Sequence, residues 1–397
     1  MVIILFCFIS IIFLSFIFLR KKIFFGFKES FACALIFYIH IPLFIFYFYQ
    51  DFLINNFPNF NVYKIQEILK IQYLSIIAII SFVLGYISLN KKIHILNLKA
   101  NFNYSQIFIA FLILFASFFI SIPNINTVML MFILVNLIVF KSNKSNSKKI
   151  LYTIFLTLLF MYLSVHFSSA RRHVIIIFFI SLFFLSFLLK SKKSSYFVFS
   201  LLFFVGICFV FYVTYLRSLV FTPDLNSASI IGLGALIANY DFMSAFDHLV
   251  YIVGNSDFLY GKSLFKIFIS FIPREIWPSK PLDTNLLIVG IRQNAFVGGS
   301  SQSVTLLGEV YWNFGWIGTI ISFFLIGVFA KNFDLIKNDK LPDTQVIILS
   351  SLVYLIFIMW RGSISTSLVI YFCNIFFLLF ILILVKTILN WIKDHQI

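Results

Sequence analysis

Six arginines and one glutamate are the side chains best suited to chemistry on a phosphorylated substrate. A guanidinium can bind two phosphate oxygens at once and keeps its charge at any physiological pH. Glu309 stands at the start of a long apolar run, where a carboxylate is costly enough to mark a functional candidate. The six arginines lie beside or between apolar runs, outside the lysine-rich loops: Arg171, Arg172, Arg217, Arg274, Arg292 and Arg361.

The elements that must position these side chains are membrane helices. The chain is 61% hydrophobic and 11% charged, whereas soluble domains are about 45–50% apolar and about 25% charged. Apolar runs of about twenty residues, the length that crosses a bilayer as a helix, recur along the whole sequence. The pattern therefore predicts an all-α polytopic membrane protein. Its four cysteines lie inside apolar runs, so no disulfide framework or metal site is expected.

Eleven transmembrane helices are predicted from these runs. Their approximate bounds are 2–19, 30–50, 68–89, 105–122, 124–140, 150–167, 173–189, 196–213, 305–330, 345–360 and 364–385. Every second loop between them carries a cluster of lysines, which is typical of cytoplasmic loops. The N-terminus is then outside and the C-terminus inside. The net charge of +16 follows this loop pattern, so we expect no nucleic-acid partner.

Three regions follow from this topology. Residues 1–213 form an N-terminal membrane bundle of about eight helices, and residues 305–397 form about three more with a short cytoplasmic tail. Residues 214–304 form one large external loop, which we expect to contain an amphipathic helix over 229–251 on or re-entering the membrane. The six arginines outside the lysine-rich loops all fall on the external face. Basic residues are normally depleted from short external loops, so a specific function must retain these arginines. Binding of a diphosphate would be such a function.

A proline-rich motif occupies the end of the external loop. Tyr260-Gly-Lys-Ser-Leu264 is followed by Phe271-Ile-Pro-Arg-Glu-Ile-Trp-Pro-Ser-Lys-Pro281. Three prolines in nine residues preclude a regular helix, so we predict a rigid turn that holds Arg274 and Lys280 on the surface. Trp277 is either an interfacial anchor or an apolar face for a sugar ring.

A second motif opens the ninth predicted span, Thr305-Leu-Leu-Gly-Glu-Val-Tyr-Trp-Asn-Phe-Gly-Trp-Ile-Gly318. Its glycines recur at small-residue spacing, which favours close contact between helices. Glu309 is the leading candidate for a general base. Asp241, Asp247 and His248 are further candidates, although the preferred interpretation of Asp247 and His248 is a hydrogen-bonded pair on the polar face of an interfacial helix.

Together with the arginine turns Ser168–His173 and Tyr215–Ser218, these motifs resemble the oligosaccharide repeat-unit polymerases, the Wzy family of O-antigen and capsule assembly. The resemblance implies a GT-C-like, metal-independent glycosyltransferase without a cofactor, in the bacterial inner membrane. Its substrates would be polyprenyl-diphosphate-linked oligosaccharides, and a chain-length regulator is a further partner that the family allows. The implied catalytic residues are Arg217, Arg274 and Glu309. The implied substrate-binding residues are Arg171, Arg172, Lys262, Trp277, Lys280, Arg292, Tyr311, Asn313 and Arg361.

Two other functions are compatible with this pattern. A lipid-glycan ligase would bind the same polyprenyl diphosphate on the external face and would differ only in its acceptor. A flippase or exporter of lipid-linked oligosaccharide would also bind a polyanion, but it would be expected to carry charges within its spans. The predicted spans keep their charges near the ends, which favours catalysis at the interface.

Overall fold

The computed structural model is mainly helical in the part of the chain that it describes, and that part contains no β-strand. The described residues are 27–48, 65–89, 100–120, 125–142, 145–167, 177, 180–185, 241–255, 257–270, 272–293, 303–336 and 341–395. The first predicted span, the eighth, and the arginines Arg171, Arg172 and Arg217 lie outside them.

Twelve α-helices are described within these ranges. They are α1 Phe27–Leu35, α2 Ile41–Phe48, α3 Ile65–Ser88, α4 Tyr104–Ile120, α5 Ile125–Lys141, α6 Asn146–Phe167, α7 Asp241–Asn255, α8 Lys262–Ile269, α9 Thr284–Gln293, α10 Leu306–Ile336, α11 Asp343–Arg361 and α12 Ile364–His395. One π-helical turn, Ile36–His40, joins α1 to α2.

Four of the described helices are long and apolar enough to cross a membrane. They contain the segments Gln66–Ser88, Leu306–Asp334, Asp343–Arg361 and Ile364–His395. Each coincides with a predicted span, because a continuous apolar run of this length has no other stable place than a bilayer or a bundle interior. The prediction of an all-α, multi-pass membrane protein is confirmed in this general form. At 1.5 Å per residue, the 19 residues of α11 extend for about 28 Å, close to the hydrocarbon thickness of about 30 Å.

The centre of the bundle is the packing of α3 against α10. Gly85 and Gly327 permit it: a Cβ on Gly85 would lie 2.0 Å from the carbonyl oxygen of Phe324, and one on Gly327 would lie 2.1 Å from that of Phe82. A side chain at either position would therefore force the two backbones apart. The Phe82 ring also stacks on Phe31 of α1, with centroids 4.3 Å apart.

Charged side chains collect at one end of the bundle, which we call the lysine end. Lys28 of α1 pairs with Glu29 at 3.2 Å and with Asp334 of α10 at 3.9 Å, and the Tyr86 hydroxyl of α3 donates to Asp334. Lys141 Nζ lies 2.6 Å from Asp343, at the start of α11. Residues Lys28, Lys141 and Lys331 were all predicted to lie on the cytoplasmic side. The structure brings the ends of their helices together, opposite to the start of α10.

Helix α7 occupies the second half of the segment 229–251, where an amphipathic helix on or re-entering the membrane is predicted. Residues 229–240 of that segment lie outside the described residues, and the helix over 241–255 packs into the bundle. Ala245, Phe246, Leu249 and Val250 are fully buried, against α3 and α10 among others. The apolar face that led to this prediction packs against protein, as the buried face of a re-entrant helix also would.

Candidate functional site

The two sequence motifs meet at the start of α10. The backbone amide of Leu259 donates to the carbonyl oxygen of Trp312 at 2.8 Å, and the indole Nε1 of Trp312 donates to that of Asp257 at 2.9 Å. Tyr260 has a φ of 48°, which is unusual for a residue with a side chain. This tight turn starts α8 directly beside α10, so Ser263 points into the bundle and is 3% exposed.

A buried polar group, the Glu309 cluster, consists of Ser263, Glu309, Asn313 and the backbone amide of Ile364. Ser263 Oγ donates to Glu309 Oε1 at 2.8 Å, and the Ile364 amide donates to Oε2 at 2.5 Å. Asn313 Nδ2 donates to Ser263 Oγ at 2.7 Å and to the Glu309 carbonyl oxygen at 2.8 Å. One carboxylate therefore joins α8, α10 and the first residue of α12.

Glu309 has neutral partners only. Its side chain is 0% exposed, and within the described residues no lysine or arginine forms an ion pair with it. Asn313 Oδ1 is also buried and has no hydrogen-bond partner in the structure. A buried carboxylate without a cation is expensive, so the hydrogen bonds from Ser263 and Ile364 must supply much of its stabilisation.

The α10 helix is broken just after the Glu309 cluster. Gly315 has φ 60° and ψ −146°, a conformation that is essentially restricted to glycine. A Cβ there would also lie 3.2 Å from the Phe258 ring. The motif glycines were predicted to allow close contact between helices, and Gly308 fits this, because a Cβ there would lie 3.3 Å from Leu249 of α7. Gly315 instead ends the first segment of α10, which carries Glu309 and Asn313.

Arg274 holds the proline-rich turn together. Its Nη1 donates to the carbonyl oxygen of Lys280 at 3.1 Å and to that of Pro278 at 3.4 Å, while Nη2 donates to that of Pro281 at 3.4 Å. The side chain is nevertheless exposed. The predicted rigid turn is therefore present, and its rigidity depends on the arginine as well as on the prolines.

Lys280 differs from its prediction, because it is buried rather than held on the surface. Its side chain is directed at the end of α8, where Nζ donates to the carbonyl oxygens of Ser270 at 2.9 Å and Ile272 at 2.8 Å. Unpaired carbonyls at a helix C-terminus attract a cation, which explains this orientation. Removal from water, together with the nearby charges of Lys266 and Arg274, lowers the pKa of Lys280.

Asp283 is a site residue that the sequence did not single out. Its Oδ2 accepts a hydrogen bond from Thr366 Oγ1 at 2.7 Å and lies 3.4 Å from Lys266 Nζ. It thereby joins α8 and α12 at the residue that precedes α9. An aspartate directly before a helix is a common cap, and this local signal could have identified it. Its link to Thr366 has no signal in the sequence.

The other residues that were predicted to bind substrate differ in their exposure and in their contacts. Lys262 is exposed at the start of α8, and Trp277 is half-buried with its Nε1 2.9 Å from Ser279 Oγ. The Tyr311 ring lies between Phe258 and Trp316, with centroids 6.0 and 5.8 Å away. Arg361 is half-buried at the end of α11, three residues before Ile364. Arg292 belongs to α9, but its side chain lies outside the described residues.

Of the alternative bases, His248 is buried and its Nδ1 lies 3.0 Å from the carbonyl oxygen of Ser303. Asp247 is half-buried, and the side chain of Asp241 is not described. Within the described residues, no group of three or more histidines, cysteines, aspartates or glutamates is arranged to hold a metal ion.

Residues 244–390 match the family model of the O-antigen polysaccharide polymerase Wzy. The predicted resemblance is thus confirmed over this segment. The Wzy segment covers less than half of the chain, but it extends from α7 into α12 and contains the Glu309 cluster, the proline-rich turn and Arg361. No curated protein and no solved structure matches the chain.

Proposed function

We propose that this protein polymerises lipid-linked oligosaccharide repeat units on the external face of the bacterial inner membrane, in O-antigen or capsule synthesis. The observation that carries the proposal is the meeting of both motifs of the Wzy segment at one carboxylate. Ser263 of the first motif and Glu309 of the second are 2.8 Å apart. The segments that the family match covers are therefore parts of one site.

The proposed reaction transfers a growing glycan onto a new lipid-linked unit. A hydroxyl oxygen of the new unit attacks the anomeric carbon of the growing chain. The bond between that carbon and the polyprenyl diphosphate breaks, the diphosphate leaves with the bonding electrons, and the proton of the attacking hydroxyl passes to solvent water. Charge develops on the leaving group, so cations that bind it are the most valuable catalytic groups. Arg171, Arg217 and Arg274 are the proposed ones, and Arg172, Lys262, Arg292 and Arg361 are proposed to bind the substrate.

Glu309 is better placed to position these cations than to take the proton directly. Both carboxylate oxygens already accept hydrogen bonds, and the side chain is 0% exposed. Its bond to the Ile364 amide fixes the turn between α11 and α12, to which Arg361 belongs. Its bond to Ser263 fixes the start of α8, and thus Lys262. Loss of the carboxylate would displace both cations at once, and a displacement of about 1 Å in an active site can cost about 100-fold in rate.

The driving force comes from the activated diphosphate of the donor, so the proposed reaction assigns no step to a metal or a cofactor. Residues Trp277, Lys280, Tyr311 and Asn313 complete the proposed binding region. Lys280 acts there by holding the proline-rich turn on α8, and Asn313 acts by orienting Ser263.

The test is the glycan-length profile of a deletion strain complemented with variants. Loss of a polymerase leaves single repeat units on the surface, whereas loss of a ligase leaves none. Arg274→Ala should give single units at an unchanged protein level. Arg274→Lys should rescue poorly, because an ammonium cannot bind three carbonyls of the turn and a diphosphate in the same geometry.

Glu275→Ala is the matched control, since Glu275 is an exposed neighbour of Arg274 in the same turn. It should give chains of normal length. Full-length polymer in the Arg274→Ala strain would refute the role of Arg274, and normal polymer in the deletion strain would refute the proposed function.

A further inference from the structure

Three large apolar side chains stand out on the surface of the segment 262–281. Phe265 is 52% exposed, Phe268 is 76% exposed and Ile276 is 74% exposed. We call these three residues the apolar ledge. The opposite face of α8 is inside the protein, where Ser263 and Ile269 are buried and Leu264 packs on the core. Helix α8 is therefore amphipathic, and its outer face has no partner within the described residues.

The ledge is held as one unit. Lys280 Nζ binds the carbonyl oxygens of Ser270 and Ile272, which follow α8, while Arg274 binds the carbonyls of the turn that contains Ile276. Lys280 and Arg274 thereby connect the two apolar parts of the ledge, which lie on α8 and at the tip of the turn. An exposed apolar surface on a rigid support is a recurrent feature of interaction sites.

The outer surface of α10 continues towards the ledge. Ile317, Ile321 and Leu325 lie in a helix that is able to cross a membrane and are 71%, 54% and 59% exposed, as expected of residues that face lipid. At the start of this surface, the Phe314 ring contacts the turn before α8: a Cβ on Gly261 would lie 3.1 Å from it. The ledge therefore begins where the lipid-facing surface ends.

We propose that the apolar ledge lies in the interfacial layer of the bilayer, with Phe265, Phe268 and Ile276 at the boundary between headgroups and acyl chains. The polar residues around it fit this position. Lys262 is exposed at the start of α8, where a cation meets lipid phosphates, and Tyr260 and Trp277 are of the types that concentrate at membrane interfaces. The phenyl and aliphatic side chains of the ledge offer no hydrogen bonds. A glycan would need such hydrogen bonds, whereas the acyl chains of a bilayer do not.

This placement has a consequence for the proposed polymerase, and only the consequence rests on that function. The ledge would keep Arg274 and Lys262 at headgroup depth. The diphosphate of a lipid-linked substrate lies at the same depth, because its polyprenyl chain is in the hydrocarbon and its sugars are in water.

Spin labels test the location of the ledge without any substrate. Cys7, Cys208 and Cys373 are replaced by alanine, while Cys33 is kept because it is 1% exposed and cannot be labelled in the folded protein. Phe268→Cys and Ile276→Cys are then labelled singly in proteoliposomes. Collisions with oxygen, which is enriched in lipid, are compared with collisions with a water-soluble nickel chelate.

Two control positions set the scale. Ile317→Cys reports the lipid face of α10, and Glu275→Cys reports the water side of the same turn. The proposal predicts that labels at 268 and 276 resemble the one at 317, with oxygen dominant, while the label at 275 favours nickel. Nickel-dominant labels at 268 and 276 would overturn the proposal, since the surface would then face water or a glycan. Labels reached by neither reagent would also overturn it, because another protein surface would cover them.

The readout separates this inference from the proposed function. A bilayer-embedded ledge in a protein that makes no polymer would leave the ledge correct and the polymerase wrong. A water-exposed ledge in an active polymerase would show the reverse.

Discussion

The two ends of the bundle treat buried carboxylates in opposite ways. At the lysine end, Asp334 is paired with Lys28 and Tyr86, and Asp343 is paired with Lys141. At the other end, Glu309 accepts hydrogen bonds from neutral donors, namely the Ser263 hydroxyl, the Ile364 amide and the Thr284 side chain. An ion pair neutralises both charges locally and holds the two helices together. A carboxylate held by neutral donors fixes backbone segments without an ion pair, and in the proposed function it thereby positions Lys262 and Arg361.

This contrast predicts that substitutions at the Glu309 cluster reduce polymer more than stability, and that those at the lysine end do the reverse. The largest effect is expected for Glu309→Ala. It leaves the Ser263 hydroxyl and the Ile364 amide without their acceptor, at a cost of about 1–3 kcal/mol each, and it frees both cationic segments. Polymer should be lost, as measured by the glycan-length profile at matched protein level.

Glu309→Gln sharpens this prediction. A glutamine keeps the shape and one acceptor oxygen, so a positioning role predicts partial recovery of chain length and nearly normal thermal unfolding in detergent. Complete loss of polymer in a well-folded Glu309→Gln protein would instead support direct proton transfer by Glu309.

The next effect concerns the lysine end. Asp343→Ala removes the acceptor of Lys141 Nζ and of the Phe102 amide, both at 2.6 Å, and should lower the free energy of unfolding by about 1–3 kcal/mol for each of these two donors. The folded fraction should still make polymer of normal length. Asp394→Ala is the control, since that aspartate is exposed near the end of α12. Shortened chains from stable Asp343→Ala protein would contradict the proposed division between the two ends.

Gly315→Ala tests the break in α10 that sets the position of Glu309. The strained conformation should cost about 1–3 kcal/mol, and chain length should fall with it. Gly362→Ala is a matched control, because its φ is −135° and the nearest atom to a new Cβ is 3.4 Å away. Equal thermal stability of the two variants would show that the break is not required.

The smallest effect is expected for Ser263→Ala, which removes one of the hydrogen bonds to the Glu309 carboxyl, at a net cost of about 1 kcal/mol. The modal chain length should shorten without loss of polymer. Ser270→Ala, which removes only a bond to the Lys266 carbonyl, should leave it unchanged. Identical profiles of both variants would remove Ser263 from the site.

The sequence predicted the helices and the separation of the lysine end from the Glu309 region. It did not predict the contacts that the side chains make at either end. Apolar runs gave α3, α10, α11 and α12, because the length of a membrane helix is set by the bilayer. The lysine pattern separated the two groups of loops. The motif around Arg274 and the motif around Glu309 were identified as parts of one functional region, and the contact between Ser263 and Glu309 agrees with that.

The sequence did not predict the details that decide roles. The burial of Lys280 follows from unpaired carbonyls at the end of α8. No hydrophobic periodicity in the sequence predicted this helix. The bond from Ile364 to Glu309 joins residues 55 positions apart, and local propensities carry no information about such a pair. The burial of α7 could not be distinguished from membrane binding, since both need the same apolar face.

The most direct test is polymerisation by the purified protein in proteoliposomes supplied only with a polyprenyl-diphosphate-linked repeat unit. We expect a ladder of lipid-linked products that grows by one unit per step, and we expect Glu309→Ala to abolish it. Products that never exceed one repeat unit, from wild-type protein shown to be folded, would contradict the assignment of the Glu309 cluster to a polymerase.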